Sequence, residues 1–293
     1  MRWLQWSQYD LAHGKGGVEA HARCLDRELK ALGVDSEISS DPKIILKNKW
    51  DVIQTHGSAS LPGALHSFRP LRVHTLHGST LGRMFACREW FWPGGYLAYG
   101  REWIGISQSQ VVLGVRPDIH LLNIAKRIGK KTAVCWNGWD QSRESIALDE
   151  KIQIKTDKID FYFCYIGRGS DPVKNTPFLE EVFQSFDGAK LVVVPGKGFH
   201  ASSNIISTDS LEPPQVEALL SSEKCLGLLL CSHYEGLPLV VLEALGNGVL
   251  VFSTEVGGLD SFREVQGLNL LPLDQKLWVK TLENVVKGNN SVN

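Results

Sequence analysis

Four groups of residues in this sequence have types and spacings suited to chemistry on an anion or a polyol. The first, Gly14-Lys15-Gly16-Gly17-Val18-Glu19, stands between an apolar run and a helical pattern. Glycines allow a tight turn there, and a helix N-terminus offers unpaired N–H groups and the positive end of its dipole to a phosphate. The turn is neither G-x-G-x-x-G nor a Walker A loop, and a Gly-Gly pair before a helix is often only a turn. The second group, Tyr165 to Asn175, carries Arg168 and Lys174 six residues apart behind a strongly apolar run. Two cations at a strand end suit a diphosphate leaving group whose charge grows during reaction; ordinary surface cations are the competing reading. The third, Ser232 to Leu245, carries Glu235 and Glu243. Carboxylates accept hydrogen bonds from vicinal hydroxyls, and the N–H groups of Gly236 and Leu237 add donors beside them. A second glycine turn follows at Glu255-Val256-Gly257-Gly258. The fourth group is His56, His74 and His77, which cluster in sequence like metal ligands but fall on different strand ends, without carboxylates at suitable spacing, so that no metal site is expected. His13, His21 and His233 flank the glycine and acidic loops and read as surface residues.

The elements that must position these groups alternate over nearly the whole chain, strand-length apolar runs with helical patterns, which argues for α/β architecture with parallel sheets. Strands are expected at Arg2–Trp6, Val34–Ile38, Asp51–His56, Arg72–Leu76, Trp103–Ser107 and Thr132–Trp136 in the first half. In the second half they are expected at Phe161–Ile166, Leu191–Val194, Cys225–Cys231 and Val249–Ser253. The first helix is the best defined: Val18, Ala22, Leu25, Leu29 and Leu32 form one stripe, and Gly33 follows as a stop. Pro238 is placed at the first position of the helix that carries Glu243. The polar stretch Gln141–Asp160 has no strand pattern and marks the junction between two domains, 1–150 and 151–293, each the size of one doubly wound unit. In open parallel sheets ligands collect at the carboxyl ends of strands, so that edge is where chemistry is to be sought.

Composition removes several other classes. The six cysteines are scattered, with no C-x-x-C pair, and read as buried thiols of a reducing cytosol. The amino terminus alternates rather than forming an apolar signal segment, and no stretch is long and apolar enough to span a bilayer. No G-x-S-x-G elbow is present. The net charge of −1 divides into +4 over 1–150 and −5 over 151–293. Between Arg69 and Lys131 ten basic residues stand against three acidic ones, interleaved with Trp90, Phe91, Trp92, Tyr96, Tyr99 and Trp103. That pattern fits either an anionic acceptor or membrane surface, or a helical hairpin with core aromatics and a solvated basic face.

Taken in order, these motifs resemble the family 4 retaining glycosyltransferases of the GT-B fold. The resemblance rests on S-x-x-E-G-x-P-x-x-x-x-E-A at Ser232–Ala244, the Arg168, Lys174, Asn175 set before it, and the N-terminal G-G-x-E turn. It extends to D-V-x-x-x-H at Asp51–His56, T-x-H-G at Thr75–Gly78 and N-G-x-D at 137–140. The family usually has glycine where Asn175 stands. The resemblance implies two Rossmann-like doubly wound domains facing a central cleft. The first would be the acceptor side and the second would bind the nucleotide sugar, with the last helix packing back on the first. It further implies that Arg168 and Lys174 hold the donor diphosphate with help from the Gly16-Gly17 loop, that Glu235 contacts the transferred sugar, that Gly236 and Leu237 belong to the donor-binding set, that Glu243 meets the ribose hydroxyls, and that His77 sits near the reacting sugar. His77, Glu235, Arg168 and Lys174 are then the catalytic set. The donor would be a UDP- or GDP-sugar, with no cofactor and no metal. The acceptor would be a glycan or lipid-linked hydroxyl of cell-envelope polysaccharide or lipopolysaccharide type, with no nucleic acid involved. The expected location is cytoplasmic, with peripheral contact at the inner face of the membrane. A nucleotide-sugar 2-epimerase of the same fold and a non-catalytic sugar-binding module are the alternatives.

Overall fold

The computed structural model describes residues 1–14, 16–47, 49–61, 70–138 and 150–290. Lys15, and Trp139 and Asp140 of the N-G-x-D segment, lie outside them, as does the 141–149 part of the expected junction. The chain divides into two compact units, Met1–Asn137 and Gly138–Asn293. No helix among the described residues is long and apolar enough to cross a membrane.

The first unit runs β1 (Arg2–Trp6), α1 (Gly17–Ala31), β2 (Asp35–Ser39), α2 (Pro42–Lys47), β3 (Val52–His56), β4 (Leu71–Leu76), α3 (Thr80–Ala86), α4 (Pro93–Gln108), β5 (Val111–Gly114), α5 (His120–Arg127) and β6 (Lys131–Val134). Its six strands form one sheet in the order β2-β1-β3-β4-β5-β6. All neighbours are parallel. Connections turn one way from β1 to β2 and the other way from β3 onward, so the switch point lies between β1 and β3. Helix α1 ends as its sequence implies. Gly33, at φ 78°, lets Val34 N–H donate to Leu29 O at 2.9 Å and Gly33 N–H to Lys30 O at 3.0 Å, a Schellman closure. Leu32, expected on the buried stripe, is instead 79% exposed, because the helix has already ended at Ala31.

The interior of this sheet is unusually polar. Gln54 accepts from Trp3 Nε1 at 3.0 Å and donates to Thr75 Oγ1 at 2.8 Å. Gln5 donates to Ala22 O of α1 at 3.0 Å. The Gln54 amide is thereby paired through both its oxygen and its nitrogen, whereas Gln5 is paired through its nitrogen and its Oε1 has no partner among the described residues.

The expected strand at Trp103–Ser107 is wrong. Those residues are the last turns of α4, and the strand is β5, a few residues later. The run Trp-Ile-Gly-Ile-Ser alternates over too few residues to separate the two periods. What decides is packing: Gly105 brings α4 against β4 so closely that a Cβ there would lie 2.5 Å from His74 Cε1 and 3.0 Å from Ala59 O.

The second unit runs α6 (Glu150–Asp157), β7 (Tyr162–Ile166), a 3-10 turn (Pro172–Lys174), α7 (Thr176–Gln184), β8 (Lys190–Val194), β9 (Ile205–Ser207), α8 (Pro213–Leu220), β10 (Cys225–Leu230), α9 (Leu239–Gly246), β11 (Val251–Ser253), a 3-10 turn (Leu259–Phe262), β12 (Leu268–Leu270) and α10 (Gln275–Asn290). Its strands lie in the order β12-β11-β10-β7-β8-β9, all parallel, with the switch point between β7 and β10. Here the central strands are continuous apolar runs, because helices cover both faces. Phe163, Tyr165, Leu191, Val193 and Leu229 share one core with Phe183 and Phe186. Helix α10 buries Trp278, Leu282 and Val286 in that same core and packs on α7. The short strands β9 and β12, three residues each, are too brief for a pattern to show in sequence.

Candidate functional site

In the second unit the switch point brings together the loop after β7 and the loop after β10. Both loops start where a buried strand stops, so their side chains are delivered to one edge of the sheet. The loops are tied by backbone and side-chain bonds. His233 N–H donates to Val173 O at 2.8 Å, and Asn175 Nδ2 donates to Cys231 O at 3.3 Å. The Cys231 thiol contacts Lys174 O and Asn175 O at 3.3 and 3.2 Å. Burial pushes that thiol up to about 12, so it serves as a buried donor rather than a nucleophile. Asn175 adopts the left-handed conformation, φ 52° and ψ 41°, which explains a residue of its type at this turn.

On this frame Lys174 Nζ donates to Glu235 Oε1 at 2.5 Å, with both side chains mostly buried. Ser232 Oγ donates to the same oxygen at 2.6 Å. Arg168 stands differently: its guanidinium is 77% exposed and reaches Asp171 only at 3.9 Å. Beneath the loop, Tyr165 is fully buried and its hydroxyl has no hydrogen-bond partner among the described residues. Burial holds it above the ordinary tyrosine range.

The acidic loop is braced by the glycine turn after β11. Gly258 N–H donates to Gly236 O at 3.1 Å, and Thr254 Oγ1 donates to Ser232 O at 2.7 Å. Gly257 has φ 66°, and a Cβ on it would collide with Gly236 O, so only glycine fits. Leu237 is buried beside it. Helix α9 begins at Leu239, with Pro238 as its N-cap rather than its first residue, and carries Glu243 in its second turn.

In the first unit Gly16 is the N-cap of α1, without a side-chain cap, and Gly17 is its first residue. A short way along the same helix, His21 meets His56, the last residue of β3, and His77, the first after β4. His56 Nδ1 and His77 Nε2 lie 3.2 Å apart, and His21 Nδ1 lies 3.0 Å from Asn137 Oδ1. Burial lowers all three rings below their ordinary 6.5, His56 and His77 well below, and so keeps them neutral. His74 belongs elsewhere: its Nδ1 bonds Thr55 Oγ1 at 2.7 Å, and burial pulls it down to about 4.

No family model matches the sequence, and no curated protein matches it. Solved structures do. Sucrose-phosphate synthase from Thermosynechococcus elongatus superposes with a TM-score of 0.77 at 16% identity, covering 99% of this chain and 90% of that one. HepE of Anabaena, in complex with UDP-glucose, gives a TM-score of 0.70 at 14% identity, over 99% of this chain and 91% of that one. WaaG, described as a glycosyltransferase involved in lipopolysaccharide biosynthesis, gives 0.70 at 12% identity, over 98% and 90%. With two parallel six-stranded sheets and these neighbours, the fold class follows. The chain has the GT-B fold.

Within this GT-B chain the expected site residues are placed unevenly. Lys174 and Glu235 are in direct contact, and Gly236 and Leu237 continue the loop that holds Glu235. Arg168 shares the β7 loop but not the pair, and Glu243 lies on the following helix. His77, Gly16 and Gly17 belong to the first unit. Sequence reasoning missed Ser232 as a ligand of Glu235, and it took His21 for a surface residue and His56 for one of a sequence cluster with His74. The signal was the strand-end position of His56 and His77, which in a parallel sheet means one shared edge.

Proposed function

We propose that this chain is a retaining glycosyltransferase that moves a hexose-type sugar from a UDP- or GDP-linked donor to a hydroxyl of a glycan or lipid-linked acceptor, without a metal in the transfer step. The observation that carries the reading is the Lys174–Glu235 pair, braced by Ser232, at the switch point of the nucleotide-fold sheet in the second unit. A cation and a carboxylate in contact there match a ligand that is anionic at one end and hydroxylated at the other. Lys174 turns to a diphosphate oxygen and stabilises the charge that grows as the sugar–oxygen bond breaks. Glu235 exchanges its ammonium contact for sugar hydroxyls. Arg168, exposed on the same loop, swings to the diphosphate, and Glu243 accepts from ribose hydroxyls. The backbone amides at Gly16 and Gly17, at the start of α1, serve as further anion donors. Configuration is retained because a departing phosphate oxygen takes the acceptor's proton on the same face, and the protein's share is positioning. His77 orients the reacting sugar. The description of HepE with UDP-glucose and of WaaG as a lipopolysaccharide enzyme supports the choice of donor and acceptor class.

The acceptor side has its own support. Helices α3 and α4 form a hairpin whose aromatics are not core residues: Phe91 is 97% exposed, with Phe85, Trp90 and Tyr96 also exposed, and the aliphatic Leu97 stands exposed beside them. Arg83 stacks on Trp92 at 4.8 Å within the same hairpin. Exposed rings among basic side chains suit peripheral contact with an anionic membrane on the cytoplasmic side. The deciding experiment screens slow donor hydrolysis across UDP-, GDP- and ADP-sugars. Release of nucleotide diphosphate from one of them supports transfer; conversion of the sugar without an acceptor favours the epimerase; tight binding without breakdown favours a binding module.

A further inference from the structure

The three imidazoles of the first unit carry a second inference, independent of the transferase reading. His21, His56 and His77 come from α1, the end of β3 and the end of β4, three elements that flank the switch point of that sheet. One ring nitrogen from each lies within 4.8 Å of the others. His56 Nδ1 and His77 Nε2 are 3.2 Å apart. Two nitrogens bound tetrahedrally at the usual zinc–imidazole length of about 2.0–2.1 Å would be roughly 3.3 Å apart. The pair is therefore already at ligand spacing, and the remaining gaps close by small ring rotations.

The orientation of His21 is set from outside the cluster. Asn137 Oδ1 can only accept, so His21 Nδ1 donates to it across 3.0 Å, leaving the Nε2 lone pair for an ion. An amide or carboxylate oxygen behind a ligating imidazole is the usual outer support of such sites. No ion pair or carboxylate contact is found on these three rings among the described residues. Converging lone pairs repel unless a proton or a cation lies between them, and one shared proton satisfies only the His56–His77 pair.

We infer that His21, His56 and His77 form a three-histidine site for a zinc-class transition-metal ion, with Asn137 as its outer support and a water-accessible fourth position. The half-buried edges of His21 and His77 leave that position open, while His56 is sealed at 1% exposure. Imidazole donors select Zn²⁺, Co²⁺ or Ni²⁺ over Mg²⁺, Ca²⁺ and Mn²⁺, which prefer oxygen. An ion there engages His77 Nε2, so the transfer step proposed above runs with the site metal-free.

The test uses the untagged full chain, stripped with a chelator and titrated with Zn²⁺ against a chromophoric competitor. Co²⁺ provides a visible d–d spectrum, and Mg²⁺ is the negative arm. The expected result is one Zn²⁺ per chain and intense tetrahedral Co²⁺ bands. His21→Ala and His77→Ala should each weaken Zn²⁺ binding by at least tenfold, and Asn137→Ala by about tenfold. Cys135→Ser, which removes an exposed thiol, should leave binding unchanged. His56→Ala opens the end of a buried strand and risks the fold, so the two half-buried variants carry the result, with circular dichroism confirming that they are folded. Absence of stoichiometric binding overturns the site, as does binding that survives the His21→Ala, His77→Ala double variant or disappears with Cys135.

Discussion

Lys174 Nζ lies 2.5 Å from Glu235 Oε1 although 61 residues separate them in the chain. The contact exists because β7 and β10, distant in sequence, are neighbours at the reversal of strand order. Both residues follow strands whose core is apolar and rigid, so the pair is held from below by Cys231, Asn175 and Val173 rather than by its own attraction. A mostly buried ion pair is a poor source of net stability, since desolvation offsets the Coulomb gain. Its presence at the end of two apolar strands points to use.

Lys174→Ala and Glu235→Gln should each lower sugar transfer by about 10²–10³-fold, the usual loss for one group that stabilises developing charge. In a double-mutant cycle the two losses should not add, because each residue orients the other. Steady-state kinetics with the donor found in the hydrolysis screen, alongside unfolding curves for each variant, make the check. Wild-type turnover in either single variant sinks the assignment.

Gly105→Ala should destabilise the first unit by about 1–3 kcal/mol through overpacking. The sign is informative, because glycine to alanine within a helix ordinarily stabilises by roughly 0.5–1 kcal/mol. Here the added methyl would meet the His74 ring at 2.5 Å and Ala59 O at 3.0 Å, and neither neighbour is a flexible chain end. Urea titration decides between the two signs.

Glu102, on α4, is 4% exposed and accepts from Thr80 N–H at 3.0 Å and from Thr80 Oγ1 at 2.5 Å. Burial raises its carboxyl from 4.5 to about 7, against the opposing hydrogen bonds from Thr80. The folded state therefore holds this proton more tightly than the unfolded one. The associated stability is complete below pH 4.5 and is lost as pH rises through about 7. Glu102→Gln, which imitates the protonated form, should remove that slope. The stability difference between variant and wild type should change by up to about 3 kcal/mol across the window. Parallel stability curves from pH 4.5 to 7.5 would contradict the assignment.

Wild-type protein should sediment with vesicles containing an anionic lipid and be released by salt, while pure zwitterionic vesicles should retain much less. Phe91→Glu and Leu97→Glu should abolish the retention without altering donor hydrolysis, because both side chains stand in solvent. Neutralising Arg83, Arg88 and Arg101 together should weaken it as well. Retention unaffected by these changes removes the membrane from the reading of the hairpin.

Much of the architecture was legible in the residues themselves. Continuous apolar runs such as Tyr162–Ile166 and Cys225–Leu230 mark strands buried on both faces, and the α1 stripe with Gly33 marks a helix and its stop. The acidic and basic loops could be placed at strand ends by the same local rules, because side-chain periodicity and turn chemistry are properties of neighbouring residues. Only the tertiary structure decided which strand ends meet. It set Lys174 on Glu235, gathered His21 with His56 and His77 while sending His74 to Thr55, and made Trp103–Ser107 helix by pressing Gly105 onto His74. Each of these outcomes depends on strand order and close packing between segments far apart in the chain, and a local pattern carries no information about its distant partner.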